Sequence, residues 1–323
     1  MSFLTIKGLT ARLRGSSYPI LRGVSLNVAP GEVHGLVGES GAGKSIIGKA
    51  VLGILPEAIE ITGGSIELDG VNLLALPPAE RRRRIGAMAA LIPQDPLTAL
   101  NPSRRIGPQI TGRLVDILGW PRAKAEARAR ELLAEVHIPD PDRVMRSYPH
   151  ELSGGMRQRV LIASAFAAEP KFIVADEPTT ALDVTIQDQI LMLLAELKQE
   201  RQMSMILVSH DVGVIAQQCD LIAVMYAGKI LECGRAVDVI ESPRHPYTRG
   251  LLAAVPTLDA PGQRHPLQSI PGQPPSLADL PPGCPFQARC AFVRPECAAI
   301  PVTLDRVMPE HGSACPFVGG GDA

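Results

Sequence analysis

The chain has 323 residues, with 32 basic against 33 acidic side chains and a formal net charge of −1. That balance excludes a protein that coats nucleic acid through a basic surface. Apolar residues make up 46% of it, yet no stretch reaches the ~20 uninterrupted apolar residues of a membrane-spanning helix. Met1 to Lys7 lacks the basic and long apolar regions of a signal peptide, so the expectation is a soluble, cytoplasmic chain. Six cysteines in a reducing compartment point to metal binding ahead of disulfides. The length predicts one large domain plus an appendage.

In chain order, Phe3–Leu9 and Val24–Val28 alternate as half-buried strands, with Gly15, Ser16, Ser17 and Tyr18 in the loop between them. Two roles fit Tyr18: stacking on a nucleotide base, worth roughly 1–3 kcal/mol, or packing on the neighbouring sheet. Glu32–Val37 is a short apolar strand that runs into Gly38-Glu39-Ser40-Gly41-Ala42-Gly43-Lys44-Ser45. This matches G-x-x-x-x-G-K-[ST] at every fixed position, and Ile46–Leu52 can continue as the required helix. Glycines let the backbone take positive φ, so that successive N–H groups face one anion, and the helix N-terminus adds its partial charge. Lys44 is expected to reach the β- and γ-phosphates, and the Ser45 hydroxyl to bind Mg²⁺.

Gly63–Gly70 reads as a strand between turns. Arg81–Arg84 form a basic run on a helix, either a solvated face or a contact for lipid head groups or a partner. Ala89–Ile92 is a buried strand ending at Pro93-Gln94-Asp95-Pro96, which lets Gln94 reach a metal or water beside the phosphate loop. Arg122–Ile138 follows a helical period. Leu152-Ser153-Gly154-Gly155-Met156-Arg157-Gln158-Arg159 then leads into a further helix. Ser153 is a good N-cap, and Gly154 and Gly155 leave backbone N–H groups exposed, which makes a second anion site. Phe172–Ala175 describes a central parallel strand that delivers Asp176 and Glu177 to its C-terminal end. Asp176 is placed for the Mg²⁺ shell and Glu177 for polarising an attacking water. Val184–Glu200 is helical, and Met205–Val208 ends at Ser209-His210-Asp211, which sets His210 for a γ-phosphate contact. His34, His137, His245 and His265 read as structural.

Taken together, in this order, the motifs resemble the nucleotide-binding subunit of an ABC transporter. That resemblance implies an α/β, P-loop NTPase fold: a RecA-like core with an antiparallel β subdomain and a helical subdomain at about 95–168. The ATPase domain is expected over 1–234, followed by a small, loop-rich extension over 235–323. On the same resemblance Gln94 is the Q-loop glutamine, Glu177 the catalytic base and His210 the switch histidine. Thr180-Ala181-Leu182-Asp183 is similar to the D-loop, with Thr180 where serine is usual. Leu13 and Arg14 lie where the adenine-stacking aromatic normally falls, so either Tyr18 substitutes or stacking is weak. The family arrangement implies two subunits, a homologous pair, that sandwich two ATP molecules head to tail. Ser153, Gly154, Gly155, Gln158 and Asp183 of one then face Gly38–Ser45 of the other. Two transmembrane permeases and, indirectly, a solute-binding protein complete the implied assembly at the cytoplasmic face of the membrane, with no nucleic-acid partner.

The tail narrows the resemblance. Pro243-Arg244-His245-Pro246-Tyr247-Thr248-Arg249-Gly250-Leu251-Leu252, Asp95–Pro102 and Pro271–Pro275 are similar to segments of dipeptide and oligopeptide importer ATPases. Cys284, Cys290, Cys297 and Cys315 are separated by five, six and seventeen residues, without the close C-x₂₋₄-C pair common in zinc sites. Pro285 and Pro316 follow two of them, an arrangement also found in ferredoxins. The resemblance favours a [4Fe–4S] cluster; zinc and no metal stand as alternatives. Such a cross-link is expected to fold a loop-rich tail with few aromatics. Cys219 and Cys233 read as ordinary buried thiols. The competing functional readings are an ABC-type ATPase unconnected to transport and a regulatory module that binds nucleotide without turning it over.

Overall fold

The computed structural model describes residues 2–180, 182–255, 269–299, 301–308 and 311–317. Ala181 and His265, named above, lie outside them. Twelve strands are described: β1 (Leu4–Leu13), β2 (Pro19–Val28), β3 (Val33–Val37), β4 (Ile59–Leu68), β5 (Val71–Asn72), β6 (Ala89–Ile92), β7 (Phe172–Asp176), β8 (Ser204–Val208), β9 (Leu221–Tyr226), β10 (Lys229–Arg235), β11 (Asp305–Met308) and β12 (His311–Ser313). They form two sheets, a four-stranded one in the order β2-β1-β4-β5 and an eight-stranded one in the order β11-β12-β10-β9-β3-β8-β7-β6.

β6, β7, β8, β3 and β9 run parallel. Every residue of β3, β7 and β8 is buried, as continuous apolar strands require when both sheet faces are covered. Helix Lys44–Val51 covers one face of the sheet beside β7. A Cβ placed on Gly48 would stand 2.5 Å from Val174 Cγ1, so this helix approaches β7 as closely as backbone allows. The antiparallel sheet packs its inner face, with Leu4, Ile6, Leu9, Ile66 and Leu68, onto Ile47 and Val51 of that helix. Within it Gly64 sits at φ +91, where a side chain would lie 2.6 Å from the carbonyl oxygens of Lys7 and Gly8. The ladder register shifts at that point, the mark of a bulge that bends the sheet.

All regular structure described between Pro96 and Phe166 is helical, with segments at Pro96–Ala99, Ile106–Gly112, Arg122–Glu135, Pro141–Arg146 and Gly154–Phe166. Ala125, Ala129, Leu132 and Leu133 recur on one face of Arg122–Glu135 and are fully buried, the apolar stripe behind the helical period. Asp140 caps the next segment by accepting the Arg143 N–H at 3.0 Å.

The tail does more than loop over the surface. β12 pairs antiparallel with β10, matching Glu232 with Ser313, Cys233 with Gly312 and Gly234 with His311. β11 adds a further strand, so the free edge of β10 is covered by the chain's own C-terminal part. At this seam Glu232 is fully buried. Its carboxylate accepts the N–H groups of Arg244 at 2.7 Å and His245 at 2.8 Å, and His311 Nε2 lies 2.7 Å from it.

Two buried imidazoles make this architecture sensitive to acid. Burial pushes His34 of β3 down to about 4 and His245, which caps helix Pro246–Ala253, down to about 3, both from 6.5. In the unfolded chain both take up protons near pH 6.5, so stability present above that pH is lost as pH falls towards the folded values. Each withdraws up to about 1.4 kcal/mol per pH unit. Calorimetric melts should therefore move to lower temperature between pH 6.5 and pH 4. The His34→Gln, His245→Asn double variant should show a shallower decline, and an unchanged acid slope would refute the assignment.

Candidate functional site

Strand register assembles the site. Leu36 of β3 lies level with Val208 of β8, Asp176 of β7 is level with the same Val208, and Ile92 of β6 is level with Ala175. Four neighbouring parallel strands therefore end along one edge. The segments leaving them, Gly38–Ser45, Ser209-His210, Glu177 and Gln94, are delivered side by side, where open α/β sheets hold their ligands.

Gly38, Gly41 and Gly43 of the phosphate-binding loop all take positive φ, at 150°, 81° and 100°, a region closed to most side chains. A Cβ on Gly38 would also stand 2.2 Å from the Met225 carbonyl oxygen, so the loop begins wedged against β9. Lys44 is buried, and its Nζ donates to the carbonyl oxygens of Gly38 at 2.7 Å and Glu39 at 3.1 Å. Burial lowers its pKa, while Glu177, Asp176 and Glu39 pull the other way and favour the charged form. Ser45 Oγ donates to Asp176 Oδ1 at 2.7 Å. Burial holds the Asp176 carboxyl above its ordinary range, against the Ser45 hydrogen bond and the charges of Lys49 and Lys44. Ser45 and Asp176 thus place two oxygens where a divalent cation beside a phosphate chain would be held.

Glu177 follows with φ +48, a conformation that strains a non-glycine residue by about 1–3 kcal/mol. Its N–H donates to the Val208 carbonyl at 2.9 Å, and its Oε2 collects three partners. Gln94 Nε2 donates to it at 2.8 Å, Thr180 Oγ1 at 2.9 Å, and His210 Nδ1 lies at 3.3 Å. Gln94, Glu177 and His210, singled out on separate strands, therefore meet on one oxygen atom. The hydroxyl of Thr180, three residues beyond Glu177, joins them.

The other expected residues are more dispersed. Ser153 caps helix Gly154–Phe166, accepting the Met156 N–H at 3.3 Å. Asp183 caps helix Val184–Arg201, accepting the Ile186 N–H at 3.0 Å. Gln158 is buried, and its side-chain nitrogen has no acceptor among the described residues. The hydrogen bonds that Ser153, Gln158 and Asp183 make do not reach Gly38–Ser45. Tyr18 is 43% exposed. It lies two residues before Ile20, which with Leu21 borders Gly43.

In the tail, the Cys284 N–H donates to the Cys297 carbonyl at 2.9 Å and the Arg294 N–H to the Cys297 sulfur at 3.4 Å. Burial pushes the Cys284 thiol up to about 11, with the neighbouring Cys297, Cys315 and Cys290 acting in the same direction. Among the described residues no three His, Cys, Asp or Glu side chains converge as a metal-ion site. Cys219 and Cys233 are raised by burial as well, which suits inert thiols.

A family model for ABC transporters matches residues 21–180, and one for the oligopeptide/dipeptide transporter C-terminal region matches 231–297. The dipeptide transport ATP-binding protein DppD of Bacillus subtilis is 46% identical over 91% of this chain and 86% of its own length. The oligopeptide transport ATP-binding protein OppD of Salmonella typhimurium is 45% identical over 90% and 86%, and DppD of Escherichia coli 40% over 98% and 97%. The chain belongs to the dipeptide/oligopeptide group of ABC transporter ATP-binding proteins. Among solved structures, a bacterial ABC transporter cassette seen as a dimer aligns with a TM-score of 0.64 at 26% identity, covering 72% of this chain and 98% of its own. CbiO1 from Clostridium perfringens, part of an ABC transporter complex, gives 0.65 at 25%, covering 75% and 91%. This ABC cassette is therefore an ATPase, with ATP and Mg²⁺ as the ligands of its family. Among the described residues no helix is long and apolar enough to cross a membrane.

The raised pKa of Asp176 has a thermodynamic consequence. A carboxyl whose folded pKa lies above its unfolded value contributes stability at low pH that is lost as pH rises through the folded value. Asp176→Asn, which keeps an acceptor for Ser45, should therefore melt above the parent at pH 8 without nucleotide or Mg²⁺. The gap should narrow as pH falls and the parent takes up its proton. A variant that melts below the parent at pH 8 would show that the buried charge is stabilising.

Proposed function

We propose that this chain is the ATP-hydrolysing subunit of a peptide importer, bound peripherally at the cytoplasmic face of the cell membrane. The observation that carries the hydrolytic part is the convergence of Gln94, Thr180 and His210 on one oxygen of Glu177, beside Lys44 and the Ser45–Asp176 pair. Gly38 to Ser45, through Glu39, Ser40, Gly41, Ala42 and Gly43, wraps the β- and γ-phosphates with backbone N–H groups, and Lys44 neutralises their charge. Ser45, Gln94 and Asp176 hold Mg²⁺, which when bound offsets phosphate charge. Glu177 accepts a proton from the attacking water, and His210 binds the γ-phosphate oxygen. Tyr18 offers its exposed ring to the adenine.

A second, homologous subunit completes the site. The N-terminus of helix Gly154–Phe166, with Ser153, Gly154, Gly155 and Gln158, and the neighbouring Asp183 serve the ATP held by the opposite chain. Support comes from the hydrogen bonds of these residues, which leave their own phosphate loop untouched, and from the dimer of the solved relative. Two transmembrane permeases are driven through the segment after Gln94, where a cavity of about 420 Å³ opens beside Pro93, Ala99 and Leu161. A solute-binding protein delivers cargo to those permeases; nucleic acid has no part in the assembly. Peptide as cargo rests on the names of the dipeptide and oligopeptide relatives, whose likeness extends through the tail. That extent sets aside an ABC-type ATPase unconnected to transport.

Cys284, Cys290, Cys297 and Cys315 are proposed ligands of a [4Fe–4S] cluster. The reading is supported by the donor set, four cysteines of which Cys284 and Cys297 are joined by a backbone hydrogen bond at 2.9 Å.

Glu177→Gln should keep ATP binding within about threefold of the parent and lower hydrolysis by at least about a hundredfold. Full turnover in that variant would remove Glu177 from its role. Anaerobically isolated protein should be brown with broad visible absorption, and a colourless preparation with stoichiometric zinc would decide against the cluster.

A further inference from the structure

The geometry points to a second task for the tail: Arg289 and Tyr247 are positioning residues that set the shape of the phosphate-binding loop through Glu39. Arg289 comes 250 residues after Glu39, yet its guanidinium grips that carboxylate with two parallel hydrogen bonds, Nη1 to Oε2 at 2.6 Å and Nη2 to Oε1 at 2.9 Å. The Arg289 side chain is only 5% exposed. Its remaining donors are also placed: Nη1 to the Tyr226 hydroxyl at 3.2 Å, Nε to the Pro271 carbonyl at 2.9 Å and Nη2 to the Ile270 carbonyl at 3.3 Å. A fork fixed on every side locates its carboxylate partner more narrowly than a point charge can.

The backbone of the same residue is held independently. The Glu39 N–H donates to the Tyr247 hydroxyl at 2.8 Å. The Tyr247 ring packs against Tyr226 and Phe286, with centroids 4.6 Å and 5.2 Å away. Both ties bear on the groups that orient Lys44: the Glu39 N–H shares its peptide with the Gly38 carbonyl, and the Gly38 and Glu39 carbonyls are the two acceptors of Lys44 Nζ. The preceding residue, Gly38, is already wedged against Met225. Glu39 is therefore immobilised at its N–H, its carboxylate and its N-terminal neighbour, and the free part of the loop begins only after it.

The tail is also held elsewhere: β12 is laced to β10, and the Glu232 carboxylate binds the Arg244 and His245 N–H groups and His311. The Arg289 and Tyr247 contacts to Glu39 thus act on the nucleotide site in addition to holding the tail. They preorganise the loop for phosphate, so that ATP need not order it on binding.

This inference rests on the reading that Gly38–Ser45 binds ATP, and the test separates the two. In the full-length chain, equilibrium titration with a fluorescent ATP analogue and Mg²⁺ is compared for the parent, Arg289→Met, Arg289→Lys, Tyr247→Phe, Glu39→Gln and Lys44→Ala. Arg289→Met should weaken binding about tenfold, the size carried by a hydrogen bond to a charged group. Arg289→Lys should recover part of that, and Tyr247→Phe should cost about threefold by the same measure. Arg289→Met combined with Glu39→Gln should be no weaker than the worse single change, since both break one contact. In Arg289→Met and Tyr247→Phe the rate at saturating nucleotide should stay within about twofold, a split between affinity and turnover that a purely structural tie would not produce. Affinity within about twofold of the parent in both Arg289→Met and Tyr247→Phe overturns the inference, whatever happens to the melting temperature. If Arg289→Met does not fold, Tyr247→Phe decides alone. Unchanged binding in Lys44→Ala would overturn the ATP reading itself, and the inference with it.

Discussion

The alignment of four parallel strand ends is the constraint on which the site depends. β3, β8, β7 and β6 are held in a register that puts Leu36, Val208, Asp176 and Ile92 along one edge of the sheet. Because a strand residue advances roughly 3.3 Å along its axis, a slip of one residue in any pair would carry Glu177, Gln94 or His210 away from the loop. It would also turn buried faces to the wrong side. The fully buried residues of β3, β7 and β8 oppose that slip, since both faces are committed to packing. Core packing and site geometry are thus the same fact seen at two levels.

Within that frame the site stores unfavourable features. Glu177 holds a left-handed backbone, Asp176 keeps a carboxyl in a buried place and Lys44 a buried ammonium. Each is partly offset by a neighbour: the Val208 carbonyl for the Glu177 amide, Ser45 for Asp176, and the Gly38 and Glu39 carbonyls for Lys44. Local strain and buried charge cluster where function needs them and persist only when the surroundings over-determine them. A phosphate chain with its cation would satisfy the same groups better than they satisfy one another, which is the physical basis for the proposed ATP switch.

The tail belongs to the same argument. It closes the edge of the eight-stranded sheet through β12, and it reaches the start of the phosphate loop through Tyr247 and Arg289. An aromatic group of Tyr226, Tyr247 and Phe286 joins residues from β9, helix Pro246–Ala253 and the cysteine-bearing segment in one packed cluster. Sheet, loop and tail therefore share buried groups, and a change in one is felt in the others.

Much of this was legible in the linear chain because its causes are local. Positive-φ glycines, a strand running into adjacent carboxylates, the Ser153 cap and the helical period of Arg122–Glu135 depend on neighbours in sequence, so Gly38–Ser45, Asp176, Glu177, Gln94 and His210 could be named there. The helical stretch from Pro96 to Phe166 follows from the same short-range signals. What only the tertiary structure decided are contacts across long separations and the burial they bring: Gln94 on the Glu177 carboxylate, β12 at the edge of β10, the burial of Gln158, and Arg289 on Glu39. An arginine or a tyrosine has no local pattern that distinguishes a solvated side chain from one clamping a loop 250 residues away. Only the packing that brings both partners out of water makes that choice.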